Sequence, residues 1–401
     1  MRAERLFDAA RHVPLRPLSW RPDEARAAID DIVDDAVDHL DPQHFWPAHP
    51  LDEIGDGHTS FYAGATGMVW ALDYLARSGA TRRTIDPCPI VPNLLAASKA
   101  EFTSATYGEY AAHGSFLFGD MAAALVAMRL APSSAIADTV FERARANNDL
   151  PVRELMWGLP GSMLACIQMA AITREPRWRA LWAGQASRLL EDLQETESGP
   201  LWEQDLYGRR QCYLGPVHGF AGNMIPLLCG WEWLSDNQRA RVADAVVRTL
   251  SLTAGRSADG INWPPVVAPP VRPLLCQHCH GAPGMVTAFA GVPFASPELD
   301  ALLLEGGRLV WTAGPLGKGH GLCHGTAGNG YAFLKLYHRT GDPIWLERAR
   351  SFAMMAIAQY REARAQHGRG RYSLWTGDVG SAIYLWDCVT AEARFPTIDV
   401  F

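Results

Sequence analysis

The chain has no long uncharged apolar run among its 401 residues. Its uncharged stretches, such as residues 211–231, are broken by Gly, Pro, His and Asn, so none reads as a membrane span. The opening residues, MRAERLFDAARHVPLRP, scatter charge and contain no apolar core segment, so no secretory signal is expected. Basic charge is not in excess: 36 Lys and Arg stand against 43 Asp and Glu, a net charge of −7. That balance argues against nucleic acid or an anionic membrane as the main partner. Series of alternating strands and Asn-Gly hairpins are also lacking. What remains, 48% hydrophobic and 20% charged residues, is the composition of a soluble globular chain, and a cytoplasmic enzyme is the expectation.

Eight cysteines occupy positions 88, 166, 212, 229, 276, 279, 323 and 388. A chain of this size with its own core and no export signal has no need of disulfide staples. Cys88, Cys166, Cys229 and Cys388 sit among apolar residues and are expected to be small buried hydrophobes. Cys276, Cys279 and Cys323 sit beside histidines and need another account.

A short glycine motif recurs seven times: YAGATG (62–67), LFGDMA (117–122), MWGLPG (156–161), VHGFAG (217–222), CHGAPG (279–284), CHGTAG (323–328) and WTGDVG (375–380). The first glycines, at 64, 119, 158, 219, 281, 325 and 377, are separated by 39 to 62 residues, so the turn is kept while the connections vary. Each motif leads into a run that is apolar on all faces, such as MVWALDYLA or SMLACIQMAA. A helix without a polar face is buried all round. Segments with one charged stripe precede several motifs: 23–40, 179–194, 236–252 and 344–363 read as outer, half-solvated helices.

Seven buried helices alternating with seven amphipathic ones predict an all-α fold. It is read as a closed α/α toroid, a double α-barrel formed by residues 1–401 as a single domain of about 57 residues per repeat. An open solenoid of helix pairs is the competing arrangement, but solenoids keep a tighter period and add polar caps. In the closed form the seven turns lie at one end. Free N–H groups of seven helix starts would then favour anions and thiolates at the rim.

Equivalent turns around a ring bring the residues before the first glycine together. Those places hold His218, His280 and His324, with Cys279 and Cys323 one step earlier. Thiolate and imidazole are the ligands zinc prefers, and three protein ligands with an open fourth place is the catalytic arrangement. Cys276-x-x-Cys279 admits a redox pair or half of a structural zinc site, but a second C-x-x-C is missing. His278 and His320 are further candidates, more simply read as solvated or hydrogen-bonded loop residues.

Across nearly its whole length the chain resembles the LanC and LanC-like proteins, the lanthionine cyclase family. The likeness is most specific in QHCHGAPG (277–284) and KGHGLCHGTAGNGYAFLKLY (318–337), and these look more like the stand-alone members than the peptide-antibiotic cyclases. The resemblance implies a double α-barrel with one zinc per chain, held by Cys279, Cys323 and His324, and it implies that His280 is not a ligand. Where the family usually has Trp before the first zinc cysteine, this chain has His278. The implied chemistry is addition of a thiol to dehydroalanine or dehydrobutyrine, followed by protonation of the resulting enolate. His218 matches the family's His-Gly motif and is the candidate general acid, with a structural role as the alternative. Lys318 matches a lysine of stand-alone members and could balance the enolate or a carboxylate. Arg5, Arg369 and Arg371 resemble arginines that hold glutathione in eukaryotic members, and Glu154 falls where cyclases place an acidic residue.

The expected partners are therefore a thiol, glutathione or another small one, and a peptide or protein carrying a dehydroamino acid. A lanthipeptide cyclase and a non-catalytic module binding zinc and glutathione are the alternatives. A glycosidase or terpenoid cyclase on an α/α barrel would need paired carboxylates or an Asp-rich motif at the mouth. The rim motifs offer only Asp120 and Asp378 as acids.

Overall fold

The computed structural model describes residues 5–52, 54–102, 114–267 and 274–401. Its described helices fall into two alternating sets. Seven begin one residue after the motif glycines: α2 (Ala65–Arg77), α4 (Asp120–Leu130), α6 (Leu159–Thr173), α8 (Phe220–Cys229), α10 (Ala282–Phe289), α12 (Thr326–Thr340) and α14 (Asp378–Thr390). Seven flank them: α1 (Pro22–Asp38), α3 (Pro87–Glu101), α5 (Ser134–Ala146), α7 (Pro176–Glu191), α9 (Asp236–Thr253), α11 (Pro297–Ala313) and α13 (Pro343–His367).

The two sets start differently for a physical reason. Flanking helices are half-solvated, and five of the seven use side-chain caps: Ser235 and Gln238 form a capping box on α9, Asp342 and Ser296 cap α13 and α11, and Asp86 and Ser133 cap α3 and α5. Their buried residues follow one face, as in Ala25, Ala28, Ile29, Ile32, Val33 and Ala36 of α1. Motif helices start at glycine with no side-chain cap, and α12 is buried without a break from Thr326 to Leu336. In five of the seven the first N–H group is not free, contrary to the rim expected from sequence. Ala65, Phe220, Thr326 and Asp378 donate to the carbonyls seven residues earlier, those of His58, Tyr213, Gly319 and Arg371. In these four the tight loop before the helix satisfies the N–H group itself, whereas Ala282 N–H at the start of α10 donates to Asn262 Oδ1 at 2.7 Å.

Each motif helix packs against the next, from α2 through α14, and α14 packs against α2. The turns repeat this cycle in hydrogen bonds. Tyr62 N–H donates to Leu117, Leu117 to Met156, Leu155 to Val217, Cys279 to Cys323, Cys323 to Trp375, and Trp375 back to Tyr62. Between the fourth and fifth turns stands Pro216, which has no N–H to give. There the chains instead meet at Gly215, where a Cβ would lie 2.1 Å from the Cys279 carbonyl oxygen.

Two features departed from expectation. Three antiparallel ribbons lie in connections, β1–β2 (Gln194–Thr196, Gly199–Leu201) and β3–β4 (Gln204–Leu206, Arg209–Gln211) between α7 and α8, and β5–β6 (Gly255–Ser257, Gly260–Asn262) between α9 and α10. The middle one turns through Tyr207 and Gly208, both at positive φ, without the Asn-Gly signature that makes such turns readable. The C-terminal tail also runs against the motif helices: Phe395 is fully buried, Lys335 pairs with Asp399 at 2.8 Å, and Phe401 packs on Phe61 and Trp70. All eight cysteines are free, but Cys88 and Cys229 are exposed rather than buried. Cys88 lies in the solvated first turn of α3, and Cys229 at the far end of α8 opens into a cavity shared with Ile398 and Lys335.

Candidate metal centre and its surroundings

The fifth and sixth turns lie side by side, joined by the 3.2 Å bond from Cys279 N–H to the Cys323 carbonyl. Gly281 gives the fifth turn a φ of +114°, a value L side chains rarely adopt, and a Cβ there would meet the Leu275 carbonyl at 2.3 Å. This packing converges one donor atom each from Cys279, Cys323 and His324 to within 4.8 Å of one another. Nδ1 of His324 is 3.7 Å from Sγ of Cys279. Zn–S bonds of about 2.3 Å and Zn–N bonds of about 2.0–2.1 Å at tetrahedral angles set sulfur and nitrogen roughly 3.5 Å apart, so the donor set fits zinc. His280 is outside this group.

Around the sulfurs the charge balance is asymmetric. The Cys279 thiol is pulled well below the ordinary range by the hydrogen bond from Cys323, reinforced by His324, while Cys323, buried and facing that negative sulfur, is pushed up. Gln277 Nε2 donates to Cys279 Sγ at 2.9 Å, and Tyr62 hydrogen-bonds Cys323. Tyr62 holds in the first turn the place that Cys279 and Cys323 hold in theirs, a signal of the repeat frame that went unread; for Gln277, its place two residues before Cys279 was the one available clue.

His218, on the fourth turn, abuts this centre through Gly215 and through His280, whose pKa is lowered by burial and by the nearby charges of His218 and His324. Its Nδ1 is 2.9 Å from Oε2 of Glu154. Glu154 has no exposed surface and also accepts N–H bonds from Met156 and Trp157. Its oxygens are thus occupied by this protein's own donors, which makes it a support for His218 rather than an open contact. Tyr207, at the tip of β3–β4, sets its ring perpendicular to His218 at 5.7 Å and its hydroxyl accepts from Trp157 Nε1.

A cleft opens beside His324, and its lining includes Lys318, His320, Arg369, Arg371 and Asp378. Lys318 is close enough to lower Cys323 electrostatically. Arg371 is already engaged, pairing with Asp52 through its guanidinium and with Asp378 through its backbone N–H at 2.9 Å. Arg369 donates to the Ala48 carbonyl at 3.3 Å. Arg5 is exposed, stacks over Phe7 at 5.7 Å and is not part of the cleft lining. Of the two extra histidines, His320 is hydrogen-bonded as expected, whereas His278 is neither solvated nor hydrogen-bonded. His320 Nε2 bonds Asp378 at 2.8 Å in a nearly closed site. His278 is completely buried, with both nitrogens unpartnered and its ring stacked on Phe395 at 4.2 Å.

Residues 111–400 match the family described as lanthionine synthetase C-like protein. The "Glutathione S-transferase LANCL1" of Danio rerio is 34% identical over 193 residues, 47% of this chain and 46% of that protein. The "LanC-like protein GCL1" of Arabidopsis thaliana is 33% identical over 195 residues, 47% of this chain and 43% of that protein. The chain thus aligns with about half the length of the curated relatives it matches. Among solved structures, "Nisin cyclase" superposes with a TM-score of 0.58 at 14% identity, over 82% of this chain and 88% of that one, a likeness of fold. The chain belongs to the lanthionine synthetase C-like family.

Proposed function

We propose that this member of the lanthionine synthetase C-like family is a zinc-dependent enzyme that joins a thiol to dehydroalanine or dehydrobutyrine residues, forming a thioether. The observation that carries the reading is the convergence of Cys279, Cys323 and His324 beside the His218–Glu154 pair. The reading takes residues 1–401 as one domain, a closed toroid of seven inner and seven outer helices, supported by the cycle of helix contacts and turn hydrogen bonds. It sets the chain in the cytoplasm, where eight free cysteines stay reduced.

Zinc held by the two cysteines and His324 would bind a substrate thiol as its thiolate near neutral pH, the thiol's proton passing to solvent. The sulfur adds to the β-carbon, the C=C electron pair moves onto the α-carbon and carbonyl, and the α-carbon then takes a proton. His218 supplies that proton from Nε2, because Nδ1 is committed to Glu154. Glu154 stabilises the imidazolium that precedes transfer and fixes the ring. Lys318 and Arg369, at the cleft beside His324, bind carboxylates of the thiol or balance the enolate. Arg371 positions the loop through Asp52 and Asp378, and a substrate contact by it or by Arg5 remains part of the proposal.

The test is a dehydroalanine peptide incubated with glutathione and the zinc-loaded protein, followed by mass spectrometry. The reading expects a thioether adduct that disappears on zinc removal and returns with added zinc. Adduct formed at equal rates with and without protein would overturn it. A product only with a cysteine in the same peptide would favour a lanthipeptide cyclase, and glutathione binding without turnover a non-catalytic module.

A further inference from the structure

The N-terminal segment reaches the metal centre through two hydrogen bonds in series. Arg11 donates from its guanidinium to Oε1 of Gln277 at 2.9 Å, and Nε2 of the same amide donates to Sγ of Cys279 at 2.9 Å. The amide's orientation follows from its neighbours. A guanidinium only donates and a thiolate only accepts, so the carbonyl must face Arg11 and the NH₂ must face sulfur. Each bond carries a charge at one end, which makes both stronger than neutral ones. Gln277 is buried, so an amide turned away from these partners would lose its hydrogen bonds without gaining water.

Arg11 is itself held in place. Its carbonyl accepts from Gly317 N–H at 2.9 Å, Val13 N–H donates to Pro315 at 2.9 Å, and His12 Nδ1 bonds the Gly314 carbonyl at 2.9 Å. The segment therefore crosses from the loop before Lys318, in the sixth repeat, to the residue preceding the fifth turn.

From this we propose that Arg11 is a positioning residue of the metal centre. Acting through Gln277, it holds an N–H donor on the Cys279 thiolate and so sets both how tightly zinc is kept and how much charge that sulfur gives the metal. The proposal rests on the metal-centre reading above. It makes the N-terminal segment part of the site, although Arg11 is no ligand.

Arg11→Ala, Arg11→Lys, Gln277→Leu and the double variant Arg11→Ala/Gln277→Leu, in the full chain, test it by two measurements. Zinc affinity is read by competition with a chromophoric chelator, and the cobalt(II)-substituted proteins are read by their thiolate-to-metal charge-transfer band. Expected are a loss of zinc affinity of about 10–100-fold in Gln277→Leu and a smaller loss in Arg11→Ala, the range found when a ligand's outer partner is removed. The double variant should be no worse than Gln277→Leu, because Arg11 acts through that amide. The cobalt band should move to lower energy in Arg11→Ala as the sulfur loses its donor, and Arg11→Lys should restore it. Wild-type affinity and an unmoved band in Arg11→Ala overturn the proposal, as do losses that simply add in the double variant. The exposed Arg11→Ala substitution decides the matter should Gln277→Leu fold poorly. A wild-type protein that takes up no zinc overturns the metal-centre reading itself, an outcome distinct from wild-type uptake with an unaffected Arg11→Ala.

Discussion

Nδ1 of His218 lies 2.9 Å from Oε2 of Glu154, a carboxylate with no exposed surface. A buried carboxylate is tolerated only with partners, and this one has His218 together with the N–H groups of Met156 and Trp157. His218→Ala is expected to lower the rate of thioether formation by about 10²–10⁴-fold, the usual worth of a general acid, while zinc content stays unchanged. Glu154→Gln keeps the shape but loses the charge, and should cost about 10–100-fold. Rates of adduct formation beside metal analysis check both. A His218→Ala protein as fast as wild type removes the proton-donor role.

The ligand set makes a sharper forecast because His280 stands next to it. One zinc per chain is expected in wild type and in His280→Ala, and none in Cys279→Ala, Cys323→Ala or His324→Ala, measured by plasma mass spectrometry after dialysis. Retention in Cys323→Ala, or loss in His280→Ala, would reassign the ligands.

Two cations lining the cleft, Lys318 and Arg371, are unequal. Arg371 already pairs with Asp52 and Asp378, whereas Lys318 lies near the Cys323 sulfur. Lys318→Ala should therefore raise KM for glutathione, an anionic thiol, and leave KM for neutral 2-mercaptoethanol near wild type. Arg371→Ala should mainly lower the melting temperature. Equal KM changes for both thiols in Lys318→Ala would rule out recognition of a carboxylate.

The sequence carried the helix pattern because burial on all faces leaves a continuous apolar run, and the motif glycines then marked where each such helix begins. Equivalent turns also gathered His218, His280, His324, Cys279 and Cys323 into one neighbourhood, but it was the family resemblance, not the repeat, that singled out Cys279, Cys323 and His324 among them. What it hid depended on contacts between distant segments. Nothing in the local pattern of Phe395 says that its ring stacks on His278, or in Arg11 that it reaches Gln277. The expected free N–H rim failed for a related reason. At Ala65, Phe220, Thr326 and Asp378 the preceding loop satisfies the N–H group with a carbonyl seven residues back, a bond that motif spacing alone does not reveal.

His278 replaces an apolar ring with a polar one at a site that offers no hydrogen bond. Both its nitrogens are orphaned, it stacks on Phe395 with an interplanar angle of 11°, and burial pushes its pKa down to about 4. An unmet buried polar group costs about 1–3 kcal/mol, so His278→Phe should keep the stack and raise stability by a similar amount. Its gain should grow as pH falls from about 6.5 towards 4, where the unfolded histidine takes up a proton that the folded one refuses. Urea unfolding at pH 5 and pH 7.5 measures this. A variant less stable than wild type at both would mean that the imidazole makes a contact the phenyl ring cannot replace.

Asp387 gives the opposite slope. Its carboxyl, buried in α14, accepts from Tyr331 Oη at 3.1 Å and from Arg394 N–H at 3.0 Å, and burial lifts its pKa to about 7. Because the folded value exceeds the unfolded one of about 3.8–3.9, the native state holds the proton more tightly. That contribution is complete at low pH and lost as pH rises through about 7. Asp387→Asn retains an acceptor for Tyr331 and Arg394 but cannot ionise. Relative to it, wild type should lose about 1.4 kcal/mol per pH unit across pH 5 to 7 and level off above, measured by urea unfolding at successive pH values. A difference between the two proteins that stays constant over that range would show that Asp387 is ionised in the folded state throughout, held so by Arg394 rather than neutralised by burial.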